Sequence, residues 1–337
     1  MSQVHVSKGI PLPEATESRW RAVLRDRDLW WPLVALVILA GEHFLVPNKQ
    51  SVFQGKAAFI VLLQGIAVLY ALSLAAAWRK ASWQETVRRK TPLAAAFLGG
   101  LALWDVVTLK LALLPLPYFP SPRVVLAALV SEWETLLVSA AYSLRLLVLG
   151  YGIGLLVGLP TGVLMGWSPR AHYWLNPALR FIGPIPATAW IPLAMVVFPS
   201  SFTASIFLVA LSCWFPITVM TWSGVASVNK SYYEVARSLG ASEWYLIRHV
   251  ALPAALPTIF VGLFMGLGMA FVTLVVGEML GVKAGLGWFI TWAQGWAEYG
   301  KVYAALLVMA ILFSGIITLL FRFRDRVLVW QKGLIKW

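Results

Sequence analysis

Apolar stretches of about twenty residues recur along this chain and constrain its fold more than any other feature. They fall near residues 29–46, 57–78, 92–114, 138–165, 178–198, 202–226, 257–280 and 301–321. An α-helix rises 1.5 Å per residue, so about 20 residues cross the roughly 30 Å hydrocarbon core of a bilayer. Lipid supplies no hydrogen-bond partners. Each crossing backbone must therefore satisfy itself, as a helix does and an open sheet cannot. The expectation is an all-α, polytopic membrane helix bundle. The first and fifth stretches are short or broken by proline.

Composition agrees. The chain is 60% hydrophobic and 12% charged, where soluble domains are about 45–50% apolar and about 25% charged. Its 18 Trp and 10 Tyr suit two water–lipid interfaces, where amphipathic rings collect. A net charge of +13 does not imply a nucleic-acid partner, because the cations sit in short clusters at the ends of apolar stretches. With the N-terminus placed in the cytoplasm, the inner loops hold Arg79, Lys80, Arg88, Arg89 and Lys90, then Arg170 and Arg180, then Lys230, Arg237 and Arg248, then Arg322, Arg324 and Arg326. The outer loops hold mainly Lys49, Lys56, Arg123, Lys283 and Lys301. This bias puts both termini in the cytoplasm.

Residues 1–28 are polar, carry Arg19, Arg21, Arg25 and Arg27, and lack the apolar core of a signal peptide. They read as a cytoplasmic tail, matched by a second tail over 322–337. The proline-rich "PLPYFPSPRVV" (115–125) cannot be helical throughout and marks an internal boundary. It separates about three helices over 29–114 from about five over 115–321. No internal repeat is visible.

Catalytic chemistry finds no support. H-E-x-x-H, G-x-S-x-G and metal-spaced His/Cys clusters are absent, and Cys213 is the only cysteine. His5, His43, His172 and His249 are scattered. There is no G-x-x-x-x-G-K-[ST], so this chain does not hydrolyse ATP by that route. No catalytic residue, metal site or bound cofactor is expected.

One charged segment interrupts the apolar pattern, "YYEVARSLGASEWYLIRHVALP" at 232–253, within a loop over 227–256. Ser231 and Glu234 have capping-box spacing, which predicts a helix start near Tyr232. Gly240 stands where a left-handed C-terminal residue is wanted. Ser242 can cap a second helix containing Trp244, Leu246, Ile247 and Val250, which Pro253 and Pro257 are expected to close by pushing Leu252 out of the helical region. The first helix is too short to be stable alone and needs a surface to lie on. That surface is either the protein's own cytoplasmic face or a partner.

The segment resembles the E-A-A loop of ABC-importer permeases, in which E-A-A, three residues, G, nine residues and I-x-L-P follow in order. Here Glu234-Val235-Ala236, three residues, Gly240, nine residues and Val250-Ala251-Leu252-Pro253 keep that spacing, with Val235 and Val250 as apolar departures. Further stretches over about 118–330 are similar to the nitrate, sulfonate, taurine and bicarbonate branch of that family. They include "SLRLLVLGYGIGLLVGLPTGVLMG", "PIPATAWIPLAMVVF", "VVGEMLGVKAGLGWFI" and "RFRDRVLVW".

The resemblance implies a type I ABC importer (MetI-like) transmembrane domain in a bacterial inner membrane, here with an N-terminal helical extension. It implies a coupling helix shaped by Glu234, Ala236, Arg237, Leu239 and Gly240, with Leu252 and Pro253 turning the chain into the next span. It implies two ATPase subunits carrying ATP and Mg, a periplasmic or lipid-anchored solute-binding protein, a second copy of the permease, and a small anionic solute such as nitrate, a sulfonate or bicarbonate. A channel or ion-coupled transporter without an ATPase remains the alternative.

Four other features stand out. Gly150, Gly154, Gly158, Gly162 and Gly166 recur every four residues, giving one helix a smooth face for close packing within the chain or between subunits. Arg145 and Glu278 are ionisable residues at similar membrane depth, where charge is costly. They are expected either to pair or to line the translocation pathway, Arg145 attracting an anion. "PIPATAWIP" (184–192) interrupts the fifth stretch, and non-helical backbone at membrane depth marks buried structure or a cavity wall. Asp105 and Lys110, five residues apart, are poorly spaced for an intrahelical pair.

Overall fold

The computed structural model describes residues 26–50, 55–79, 81–114 and 116–330. The expected tail over 1–28 lies almost wholly outside them, as do Lys80 and residues 331–337 of the second tail. Among the described residues every regular element is helical. Seven helices are long and apolar enough to cross a membrane, and a bent pair brings the total to as many as eight.

Two compact units divide at Ser131 and Glu132. The first holds α1 (Trp31–Leu45), α2 (Lys56–Arg79), α3 (Ala81–Asp105) and α4 (Pro122–Ser131). Its apolar core is Leu39, Phe59, Leu63, Leu98 and Ala102. α3 begins some ten residues before its apolar stretch, because Glu85, Arg88, Arg89 and Lys90 continue the helix past the hydrophobic part. It ends in a π-helical turn over Val106–Lys110.

The second unit holds α5 (Trp133–Trp167), α6 (Pro169–Ile182), α7 (Ile191–Val197), α8 (Ser201–Ala226), α9 (Lys230–Ser238), α10 (Glu243–Leu246), α11 (Leu252–Met279), α12 (Leu286–Gly295) and α13 (Tyr299–Val327). The 35 residues of α5 make a rod of roughly 50 Å, longer than the hydrocarbon is thick. α13 runs six residues beyond the apolar stretch at 301–321, so the basic Arg322, Arg324 and Arg326 are helical.

The glycine face of α5 fixes the topology of this unit. A Cβ at Gly150 would stand 2.7 Å from Val209, at Gly158 3.0 Å from Ile217, at Gly162 2.5 Å from Thr221 and at Gly166 2.6 Å from Val225, with Gly154 against Cys213. Residue numbers rise together along both helices, so α5 and α8 run parallel. The chain between them must cross back. It does so through α6 and the 3-10 turn Ala187–Trp190 leading into α7, two arms bent by 83°. The break coincides with the proline-rich 184–192.

α11 lies antiparallel against the same helix, with Gly262 against Met220, Gly266 against Ile217 and Gly277 against Ser205. α13 runs back along α11, joined by ring contacts of Phe271 with Phe313, Phe264 with Phe321 and Phe260 with Phe323. The core is therefore the seam of α5, α8 and α11, built on Leu146, Val209, Cys213, Ile217, Leu267 and Leu274. The starts of α5, α8 and α13 share one end of the bundle with the end of α11. α9 and α10 stand at the other.

Candidate functional site

α9 starts differently from the capping-box expectation. Its N-cap is Asn229, whose side chain accepts the Ser231 N–H at 3.0 Å, so the helix begins at Lys230 and Ser231 lies inside it. Asparagine caps as well as serine. At the other end Gly240 has φ +83°. The Gly240 N–H donates to Arg237 O at 2.9 Å and the Ala241 N–H to Ala236 O at 3.1 Å. These two bonds form a Schellman motif, which closes the carbonyl end of a nine-residue helix. Ser242 then caps α10, accepting the Tyr245 N–H at 3.3 Å.

The expected proline break is not there. Leu252 is helical at φ −62°, ψ −50°, and α10 runs through a π turn, Ile247–Ala251, straight into α11. The wider turn pairs the Leu252 N–H with Ile247 O. Pro253 falls in the first turn of α11. Leu252 and Pro253 thus join α10 to the span rather than turning the chain.

No residue of α9 is buried. Tyr232, Val235 and Trp244 are exposed, and Leu239 is 83% exposed. Tyr232, Val235 and Leu239, with Ala236, Gly240, Tyr245 and His249, border an open concavity of about 670 Å³. The segment is held to its own bundle chiefly by Leu246, which is fully buried, and by Tyr233, whose ring meets Trp167 edge-on at 5.5 Å. That burial pushes the Tyr233 pKa up. Arg237 pairs with Glu243 at 3.0 Å across the turn, and both are more than half exposed. Glu234 faces the neighbouring hollow beside Trp167 and Lys230.

At the opposite end, Arg145 and Glu278 do not pair. Glu278 is buried and accepts the Gly287 N–H at 2.8 Å, so its carboxylate anchors the start of α12, where the helix dipole favours negative charge. Ser143 accepts the adjacent Leu286 N–H at 2.9 Å. A Cβ at Gly285 would stand 2.5 Å from the Glu278 carboxyl carbon, and Gly285 has φ +142°. "GLGW" is therefore the fitted seat of one carboxylate. Arg145 instead lies over the Phe202 ring, 5.1 Å from its centroid, beside a cavity of about 470 Å³. Lys301, nearby in sequence to α12, bridges Glu132 and Glu298 at 2.8 Å each.

A second cavity of about 450 Å³ sits at the break between α6 and α7. Ile185, Pro186, Phe215, Met265 and Met269 line it, with Ser212 among the few polar groups. The sequence marks this region through its prolines but gives no sign of the residues from α8 and α11 that complete the wall. Among the described residues no group of three or more His, Cys, Asp or Glu is placed to hold a metal ion.

A bundle of long apolar helices with one broken span, a small-residue seam and an unburied helical turn at one end is a multi-pass membrane transport component. Residues 154–328 match the family described as binding-protein-dependent transport system inner membrane component, and the chain belongs to it. It is 33% identical over 186 residues to the taurine transport system permease protein TauC of Escherichia coli (strain K12), covering 52% of this chain and 67% of that one. It is 32% identical over 123 residues to the bicarbonate transport system permease protein CmpB of Synechococcus elongatus, covering 36% of this chain and 42% of that one. A chain of the MetNI methionine ABC transporter, solved in inward-facing conformations, has the same fold. It superposes with a TM-score of 0.51 over 58% of this chain and 98% of its own length, at 21% identity.

Proposed function

We propose that this chain is the membrane-spanning subunit of an ATP-driven importer for a small anion, with a sulfonate such as taurine, or bicarbonate, as the leading candidates. Two copies would enclose the pathway. A separate ATPase subunit grips each α9–α10 turn, and a solute-binding protein delivers solute at the opposite end. On this reading α9, α10 and both termini face the cytoplasm, in keeping with the clusters of Lys and Arg at that end of the helices. The apolar cavity at the α6–α7 break belongs to the pathway, where a broken helix exposes backbone polar groups to the passing solute.

The observation that carries the proposal is α9 itself. A nine-residue helix closed by a Schellman turn leaves Tyr232, Val235 and Leu239 uncovered. Such a helix gains little from its own bundle and presents a preformed apolar knob to a partner. A channel or ion-coupled transporter has no use for it.

Reconstitution decides between them. The chain, co-expressed with a cognate ATPase and placed in liposomes with a binding protein, should accumulate labelled taurine or bicarbonate only when ATP is supplied on the α9 side. Uptake driven by an ion gradient without any ATPase would overturn the reading. Orientation is checked with Leu239→Cys, which should react with an impermeant maleimide only from the cytoplasmic side. The native Cys213 is buried in the seam and serves as the silent background.

A further inference from the structure

The cavity beside Arg145 is built from two helices and a loop that meet at the end of the bundle away from α9. α5 supplies Tyr142 and Arg145, the start of α8 supplies Ser200, Ser201 and Phe202, and the loop after α11 supplies Lys283. Phe202 holds the guanidinium by its face. A cation–π contact orients the Arg145 plane but uses none of its N–H groups. Arginine has five donors in a fixed fork. Among the described residues none of those of Arg145 meets a protein acceptor, and neither Arg145 nor Lys283 has a carboxylate within ion-pair distance.

Two unpaired cations and three hydroxyl-bearing side chains thus converge on one hollow, with an aromatic wall and a volume inside the usual range of about 300–1,000 Å³ for small-ligand sites. We infer that this hollow binds a small oxoanion of the sulfonate or carboxylate class. The Arg145 fork takes two of its oxygens side by side, Lys283 supplies the second positive charge, and the hydroxyls complete the shell. The inference rests on the importer reading for its biological meaning, since it makes the hollow a selective entry station for the solute. The same oxoanion chemistry could come from the phosphate of an anionic lipid. The position of the hollow between two helices and a loop of one chain, rather than on the outer surface of a single helix, favours the free anion.

The test uses the whole permease in nanodiscs of zwitterionic lipid, without a binding protein, and trifluoromethanesulfonate as a fluorine NMR probe. Saturation transfer to the probe is expected, with displacement by methanesulfonate. It should fall about tenfold or more in Arg145→Met and Lys283→Met. Both side chains are exposed, so both variants should keep the parent melting temperature. Arg145→Lys should retain part of the signal, because charge remains while the fork is lost. An undiminished signal in Arg145→Met overturns the inference, as does a signal displaced by added phosphatidylglycerol but not by methanesulfonate. A parent protein that gives no signal also overturns it. Failure of the importer reading shows separately, as loss of ATP dependence in uptake with the probe result intact.

Discussion

Replacing Gly240 by valine isolates the shape of the α9 turn from everything else in the molecule. A Cβ at Gly240 meets nothing within 4 Å, so the substitution creates no clash and removes no packing. What it changes is the backbone. At φ +83° an L-residue pays roughly 1–2 kcal/mol, and a β-branched one stands at the upper end or beyond. At 1.4 kcal/mol per factor of ten, the closed Schellman conformer falls roughly five- to thirtyfold relative to open ones. α9 cannot compensate, since none of its nine residues is fully buried. A partner that recognises the closed form then binds more weakly by up to that factor, in proportion to the closed fraction lost. The assay is retention of a tagged ATPase by the solubilised permease, titrated to give an apparent affinity, alongside ATP-driven uptake. Thermal stability should fall by no more than the roughly 1–2 kcal/mol of backbone strain itself. Gly240→Asn, which tolerates the left-handed region, should recover most of the loss. Parent-like affinity and uptake in Gly240→Val would refute the reasoning, and so would an asparagine variant as weak as the valine one.

Three further outcomes follow from buried positions. Gly162→Val forces a Cβ to within 2.6 Å of Thr218 O, a backbone atom that cannot swing away, and should destabilise by about 1–3 kcal/mol. Gly152→Val on the same helix points into open space and should leave the melting temperature unchanged. Glu278→Ala removes the acceptor of the Gly287 N–H and should speed amide exchange over Leu286–Gly295, while protection along α5 and α8 persists. Arg123→Leu leaves Asp105 buried without its cation and should destabilise the first unit by about 3–5 kcal/mol, read as loss of protease resistance over residues 26–131.

Sequence shows membrane depth well and azimuth poorly, and the outcome at each residue follows that division. The spans, the glycine period and the left-handed position of Gly240 are one-dimensional signals, and the helices, the α5–α8 seam and the Schellman turn answer to them. Arg145 and Glu278 do lie toward the same end of the bundle, but one faces Phe202 and the other Gly287. Counting residues along helices cannot supply that rotation. The same limit hid the ionic cluster of the first unit. Arg123, which reads as an outer-loop cation, is 3% exposed in α4, 2.7 Å from the His43 ring and 3.9 Å from Asp105. Lys110 donates to Val46 O at 2.7 Å and to Asn48 at 2.9 Å. Each partner is at least eighteen residues away, beyond any helical spacing rule. Pro253 misled for a different reason. The rule that a residue before proline leaves the helix holds for regular turns, and the π turn at Ile247–Ala251 is the irregularity that suspends it.

That π turn also bears on how the two ends of the second unit are related. α11 is continuous with α10 at one end and leads into the loop of Lys283 at the other. Along its length it meets α8 through Gly262, Gly266 and Gly277, where side chains of Met220, Ile217 and Ser205 fill the space a Cβ would take. A seam with glycine on one side has few interdigitating knobs to resist sliding, while the helix itself is rigid along its axis. On the proposed reading, energy delivered at α9 and α10 would have a direct mechanical route along one rod to the wall of the Arg145 cavity. The hinge for such motion is the π turn, a five-residue turn whose hydrogen bonds can tighten into ordinary helical ones. Coupling of this kind needs a contiguous element with two arrangements. α11, continuous with the π turn at one end and bearing half of the cavity loop at the other, joins α5 and α8 in spanning the distance between the two sites.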